Sequence, residues 1–202
     1  MENNEKTINE FWSWFTTHKT DLAPENISDN LISKLDHKIL SLGDFSWEIR
    51  EGDTEENMLI ISPGGDVDLL PETNKVIKLA PKIENWEFCY YKPSKNWDFQ
   101  LTLYEESNVK KILDVKDWEY VLYKFKDGTF DIIFKTRNLN SSTKEEQMLI
   151  ADIVLESVIG EENSLRFIKK IEFVDEFNIV DKQKSNSIEV LKQHFDELVK
   201  VI

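Results

Sequence analysis

The residues of this chain best suited to carry out chemistry are two aspartates that follow a glycine-containing turn. Asp66 and Asp68 come directly after the Ser-Pro-Gly-Gly run at 62–65, which joins an apolar segment to a predicted helix. Alternate carboxylates recur in magnesium and calcium sites, because both ions prefer oxygen ligands. The calcium-loop pattern also needs further oxygen ligands and a distal glutamate, and these are missing. The pair is compatible with a metal-assisted enzyme, but capping of the following helix is the commoner role of such acids.

Other reactive residue types are scattered along the chain. His18, His37 and His194 show no zinc-type spacing with one another or with Cys89. Cys89 alternates with large aromatic residues, which favours a buried small hydrophobe over a reactive thiolate. The turn at 62–65 lacks the spacing of nucleotide-binding loops, and the acids after it would repel a phosphate. We therefore predict no catalytic residue and no cofactor from motifs.

The charge balance limits the classes of partner. The formal net charge is −14 and the sequence pI is about 4.7. Nucleic-acid binding relies on lysine and arginine that displace counterions from phosphates, and no basic stripe is present. An anionic membrane surface is disfavoured for the same reason. A basic protein would be attracted, although acidity also simply keeps a protein soluble.

The cysteine count and the hydropathy favour a cytoplasmic protein. A single cysteine, Cys89, excludes an internal disulfide, as is usual in a reducing compartment. Residues 1–6 lack the basic region and apolar run of a secretory leader. No apolar stretch approaches the length that spans a bilayer.

Hydrophobic spacing predicts helices at both ends of the chain. Two N-terminal helices are expected over 1–43, and a C-terminal helix is expected to begin near Asn186. The apolar positions that repeat at helical spacing are Ile8, Phe11, Trp12, Phe15, Leu31, Leu35, Ile39, Leu42, Ile188, Leu191, Phe195, Leu198 and Val199.

Between these helices a strand–strand–helix–strand pattern occurs twice, over 45–92 and 117–174. Each copy opens near a Trp-Glu pair, at 47–48 and at 118–119. In the second copy, the Asp-Gly step at 127–128 predicts a hairpin. Ser142 and Glu145 match the spacing of a capping box. This repeated pattern is compatible with a duplication or with packing rules common to both halves.

These elements predict an α+β protein with one continuous, mixed and mainly antiparallel sheet. The two N-terminal helices and the C-terminal helix are expected to pack on that sheet. We predict a single domain over 1–202, with a helical part at 1–43 and the sheet and its helices at 44–202.

One surface is a candidate for binding. Glu87 and Tyr91 share a face of one predicted strand, and Gln100, Thr102 and Tyr104 share a face of the next. If the two faces coincide and stay uncovered, they form an aromatic and acidic patch of the kind favoured in interfaces. The alternative is that helices cover this face.

Several runs also carry a family resemblance, mainly in the first half of the chain: 11–15, 59–66, 69–71, 80–88, 92–93 and 97–98. With a looser match at 160–163, the chain resembles a family of uncharacterised bacterial cytosolic proteins. That resemblance implies a compartment but supplies no activity and no catalytic residues.

The function that these observations favour is non-catalytic protein binding, in an immunity-like or adaptor-like module with an acidic, aromatic surface. The alternative is a metal-assisted enzyme with dispersed carboxylates around Asp66 and Asp68.

Overall fold

The computed structural model describes residues 2–104 and 110–200. The chain divides into two compact units, Met1–Lys92 and Pro93–Ile202, and each has a hydrophobic core of its own. Both units contain helices together with β-hairpins and helical crossovers between strands, so the predicted α+β class is confirmed. That residues 1–202 form a single domain stays a prediction.

The first unit consists of three helices and a three-stranded sheet. Its elements are α1 (Glu2–His18), α2 (Asp29–Leu40), β1 (Ser46–Glu51), β2 (Asn57–Ser62), a 3₁₀ turn (Val67–Leu69), α3 (Leu70–Lys78) and β3 (Trp86–Cys89). Strand β1 pairs antiparallel with β2, and β2 pairs parallel with β3 after the crossover through α3. This is the strand–strand–helix–strand order that the sequence predicts.

The core of the first unit forms between the sheet and the amphipathic faces of its helices. The Ser28 side chain caps α2 by accepting a hydrogen bond from the Leu31 amide, which directs the apolar stripe of the helix inward. Strand β2 is buried along nearly its whole length, as expected for a central strand covered on both faces. The buried helical residues include Ile8, Phe11, Trp12, Phe15, Leu31, Leu35 and Ile39.

The second unit contains two further sheets. Its elements are β4 (Gln100–Tyr104), β5 (Lys110–Asp114), β6 (Glu119–Lys124), β7 (Phe130–Lys135), α4 (Lys144–Ile159), α5 (Glu161–Phe167), β8 (Ile168–Val174), α6 (Ile179–Lys182), β9 (Asn186–Ser187), a 3₁₀ turn (Ile188–Val190) and α7 (Leu191–Val199). Strands β4 and β5 form an antiparallel pair, and the other sheet has the order β8-β7-β6-β9.

The strand–strand–helix–strand pattern predicted for both halves is present in the topology of both units. Strand β6 pairs antiparallel with β7, and β7 pairs parallel with β8 after a helical crossover, as β1, β2 and β3 do in the first unit. Antiparallel pairs outnumber parallel ones among the described strands, so a mixed and mainly antiparallel architecture is confirmed.

The prediction of one continuous sheet is wrong. The described strands form three separate sheets, because β3 and β4 do not pair and β5 pairs only with β4. Local hydrophobic alternation specifies that a segment is a strand, but the pairing partner is decided by contacts between distant segments.

Three boundaries also differ from their predicted positions. The capping box uses Thr143 and Glu146, one residue after the predicted pair, because Thr143 has the extended backbone that a cap requires. The strand predicted from residue 97 begins only at Gln100, since Phe99 has a positive φ of 62° and interrupts the extended backbone. Helix α7 begins at Leu191, because β9 and a 3₁₀ turn precede it.

No helix within 2–104 or 110–200 is both long enough and apolar enough to cross a membrane.

Candidate functional site

The residues of the predicted binding surface belong to two different units. Glu87 lies on β3 and Tyr91 follows it in the first unit, whereas Gln100 and Thr102 lie on β4 in the second. Because β3 and β4 belong to different sheets, strand pairing does not bring the two faces together. The role of these residues in binding stays a prediction.

Glu87 holds the hairpin that joins β1 to β2. Its carboxylate accepts hydrogen bonds from the backbone amide of Asp53 and from both the amide and the hydroxyl of Thr54. Burial raises the pKa of Glu87, but the hydrogen bonds from Thr54 and Asp53 lower it more, with help from the positive charge of Arg50. The pKa of the carboxyl therefore lies below its ordinary value of 4.5. A side chain engaged in this way stabilises its own loop.

This geometry predicts that Glu87→Gln lowers the free energy of unfolding of the first unit by about 1 kcal/mol at neutral pH, allowing for the exposure of the carboxylate. A lowered folded-state pKa contributes stability above the unfolded-state pKa, and that stability is lost as the pH falls through the folded-state value. The difference between native protein and variant should therefore shrink in acid, as measured by urea unfolding at several pH values.

The matched control is Glu84→Gln, an exposed glutamate three residues earlier in the chain. It should leave the stability and its pH dependence unchanged. Equal unfolding free energies for Glu87→Gln and the native protein at neutral pH would contradict the assigned role.

Strands β4 and β5 leave one face to solvent. Gln100 and Thr102 are exposed there, and Ile112, which lies opposite Thr102, is 58% exposed. Tyr104 is the last residue of β4, and its side chain lies outside the described part of the structure. Tyr91 is half-buried and its ring packs against Tyr90 with centroids 4.8 Å apart. Glu87, the acidic residue of the predicted binding surface, therefore belongs to the first unit, whereas Gln100 and Thr102 belong to the second.

The two aspartates that follow the turn at 62–65 have a structural role at the start of the next helical segment. Asp66 accepts a hydrogen bond from the Asp68 amide at 2.9 Å and so caps the 3₁₀ turn before α3. Both acids are exposed. In the described residues, no group of three or more histidine, cysteine, aspartate or glutamate side chains is arranged to hold a metal ion. The metal-assisted alternative therefore gains no support from this geometry.

The first unit contains a cleft of about 700 Å³ that is lined mostly by polar and acidic residues. We call it the acidic cleft. Its walls come from the α1–α2 connection, the β1–β2 hairpin and the segment that leads into β3, and its lining includes Trp86, which is 5% exposed. The carboxylates that line it are Glu25, Glu51, Glu56 and Glu84, with Lys19 as the cation among the lining residues.

Backbone hydrogen bonds pre-organise two walls of the acidic cleft. The carbonyl of Asn85 accepts hydrogen bonds from the amide and the side chain of Asn57, at 3.0 and 3.2 Å. Asn85 has a positive φ of 66°, a conformation that asparagine tolerates better than most residues, and its side-chain amide donates to Glu56 at 3.0 Å. The hairpin and the segment before β3 are thus joined by hydrogen bonds, which lowers the entropic cost of binding a ligand between them.

A second cleft, in the second unit, has a different electrostatic character. It has a volume of about 540 Å³, and its lining includes both acidic and basic side chains. Both basic residues of its lining are paired with carboxylates, Lys135 with Glu119 and Arg137 with Glu176. Its lining has three carboxylates against two cations, a smaller excess of negative charge than the four against one of the acidic cleft.

The acidic cleft was not predicted from the sequence. The polar run at 51–57 indicated only a hairpin connection, and Glu25 and Glu84 are separated from it by more than twenty residues. The available signal was the density of glutamate in three predicted loops, but their convergence depends on how α1, α2 and the sheet pack.

No protein-family model, curated protein or solved structure matches this chain. The resemblance to bacterial cytosolic proteins therefore stays a prediction, and function has to be argued from the geometry.

Proposed function

We propose that this protein is a non-catalytic binding module that captures a basic segment of a partner protein in the acidic cleft. The observation that carries the proposal is the concentration of four glutamates against one lysine around a cavity of about 700 Å³. A bacterial cytoplasmic role of the immunity or adaptor type is the wider setting that we propose for it.

The chemistry of the cleft suits lysine or arginine side chains. Their charged ends would lie near carboxylates, while their aliphatic stems pack on the apolar surfaces of Ala23, Pro24 and Trp86 that line the cavity. Carboxylates on several loops favour a cationic partner and disfavour an anionic one, which gives specificity as well as faster association. The net charge of −14 adds long-range attraction in the same direction.

Charge reversal in the cleft is expected to weaken capture. The double substitution Glu25→Lys and Glu84→Lys should lower the affinity for a fluorescently labelled lysine-rich peptide by about tenfold or more at low salt, because two favourable charges become repulsive. Fluorescence anisotropy measures the affinity, and a glutamate-rich peptide of equal length should not bind.

The matched control is Glu5→Lys with Glu72→Lys, which makes the same change in net charge at exposed positions away from the cleft. If binding is local to the cleft, this control should retain most of the affinity. Equal losses for both double variants would show that only net charge matters, and unchanged affinity of the cleft variant would refute the proposed site.

A further inference from the structure

Asn85 lines the acidic cleft from a fixed backbone position. Its φ of 66° lies in the left-handed region, which asparagine adopts more readily than most residues because its short polar side chain can hydrogen-bond locally. The next residue, Trp86, is buried, and the Asn85 carbonyl accepts a hydrogen bond from the amide of Asn57 on β2. The side chain of Asn85 therefore projects from a backbone that is held by its surroundings.

This side chain engages one oxygen of a carboxylate in the cleft. Its Nδ2 donates to Oε2 of Glu56 at 3.0 Å, and both residues line the cavity. The backbone of Glu56 is held as well, since its carbonyl accepts from the Gly52 amide at 3.2 Å within the β1–β2 hairpin. An exposed glutamate side chain otherwise samples many rotamers, and a ligand that binds it must order it at an entropic cost. The hydrogen bond from Asn85 lowers that cost.

A carboxylate that is engaged on one oxygen distinguishes between the two basic side chains. A guanidinium binds a carboxylate best through two parallel N–H donors, one to each oxygen, whereas an ammonium group is a point charge that needs no such match. Because Oε2 of Glu56 already accepts from Asn85, the two-oxygen geometry is obstructed, while the other oxygen keeps its own lone pairs. An ammonium group loses nothing by this restriction and gains from the fixed position of Glu56.

We propose that Asn85 makes the acidic cleft select lysine over arginine in the basic segment that it captures. The inference rests on the proposed function, because it requires that a basic segment enters the cleft. Asn85 acts through Glu56 and is therefore a positioning residue. The partner that fits this chemistry is a protein segment rich in lysine.

Fluorescence anisotropy with a lysine-rich and an arginine-rich peptide of equal length and charge tests the selection. The native protein should bind the lysine-rich peptide more tightly. Asn85→Gly keeps the positive φ and the backbone carbonyl but removes the side-chain donor. It should lower the ratio of the two affinities by about fivefold, because lysine loses a fixed partner and arginine gains a two-oxygen contact. In a Glu56→Gln background the same substitution should leave the ratio unchanged, since the effect acts through the carboxylate.

Glu87→Gln is the matched control for the position of the hairpin wall. The Glu87 carboxylate holds Asp53 and Thr54, but Glu87 lies outside the set of residues that line the cleft. Loosening the wall should therefore weaken the binding of both peptides alike and leave their ratio unchanged. Circular dichroism establishes that each variant is folded. Should Asn85→Gly fail to fold, Asn85→Asp replaces it, because aspartate tolerates the same φ but its carboxylate cannot donate.

The outcomes separate this selection from capture itself. Failure of the native protein to bind either peptide would refute capture in the acidic cleft, and the selection with it. Binding without a preference for lysine would overturn the selection and leave capture intact. An unchanged ratio of affinities in Asn85→Gly would do the same.

Discussion

Replacing Trp12 with alanine is expected to destabilise the first unit by about 3–5 kcal/mol. The indole is 2% exposed, and its ring makes edge contacts with Phe15 and Phe88 at centroid distances of 5.7 and 4.7 Å. Truncation would leave a cavity at the contact of α1 with the sheet. It would also remove the hydrogen bond that Nε1 donates to the Val76 carbonyl at 3.0 Å, the link from α1 to α3.

Trp14→Ala is the matched control on the same helix. Trp14 is only half-buried, and its ring contacts include His18 and the ammonium group of Lys38, 5.4 Å from the ring centre. Its truncation should cost about 1 kcal/mol, because little cavity is created and the cation–π contact is near the surface. Similar losses for Trp12→Ala and Trp14→Ala in urea unfolding would contradict the assigned packing of α1.

Because the two units have separate cores, local readouts are needed beside a global one. Hydrogen exchange of the β2 amides reports the first unit, and exchange of the β7 amides reports the second. Trp12→Ala should accelerate exchange in β2 by several orders of magnitude if that segment opens by unfolding of the unit.

The second large effect is expected from Trp118→Ala, which should lower the stability of the second unit by about 3–5 kcal/mol. Trp118 is 2% exposed, and its ring lies 5.4 Å from Phe134 and 5.9 Å from Phe173, so that it packs across β6, β7 and β8. Its Nε1 donates to Asn138 at 3.0 Å, and Asn138 in turn donates to the Asp114 carbonyl at 2.6 Å. Loss of the indole leaves a cavity and removes one donor to this network.

Trp97→Ala is the control in the same unit. Trp97 is half-buried at the margin of the same core and packs on Phe99 at 5.2 Å. We expect it to cost clearly less than Trp118→Ala, as measured by exchange of the β7 amides. Equal acceleration by both substitutions would show that the margin and the centre of this core contribute equally, contrary to their burial.

The Trp-Glu pairs show how far the sequence pattern can be interpreted. Both pairs mark the start of a strand–strand–helix–strand unit, as predicted. Yet Trp118 is buried in the second core, whereas Trp47 is half-buried and donates to Asp36 at the surface. The same dipeptide has different roles, because burial depends on which helices and strands pack against it.

Glu87 shows the same limit of sequence-based prediction at the candidate site. Strand alternation correctly indicated that it projects from the face opposite Trp86 and Phe88. The pattern could not show that the β1–β2 hairpin folds over to donate hydrogen bonds to its carboxylate, since Thr54 is more than thirty residues away. Distance in sequence also prevented a prediction of the acidic cleft, whose glutamates lie on three separate segments of the chain.

The sequence by itself determined the α+β class, the two strand–strand–helix–strand units and the amphipathic helices, because hydrophobic period, caps and turn residues act over a few neighbouring positions. Tertiary structure alone decided that the strands form three sheets, that Glu87 holds a loop, and that four glutamates surround one cavity. Strand pairing and cleft formation depend on contacts between distant segments, and many pairings satisfy the same local pattern.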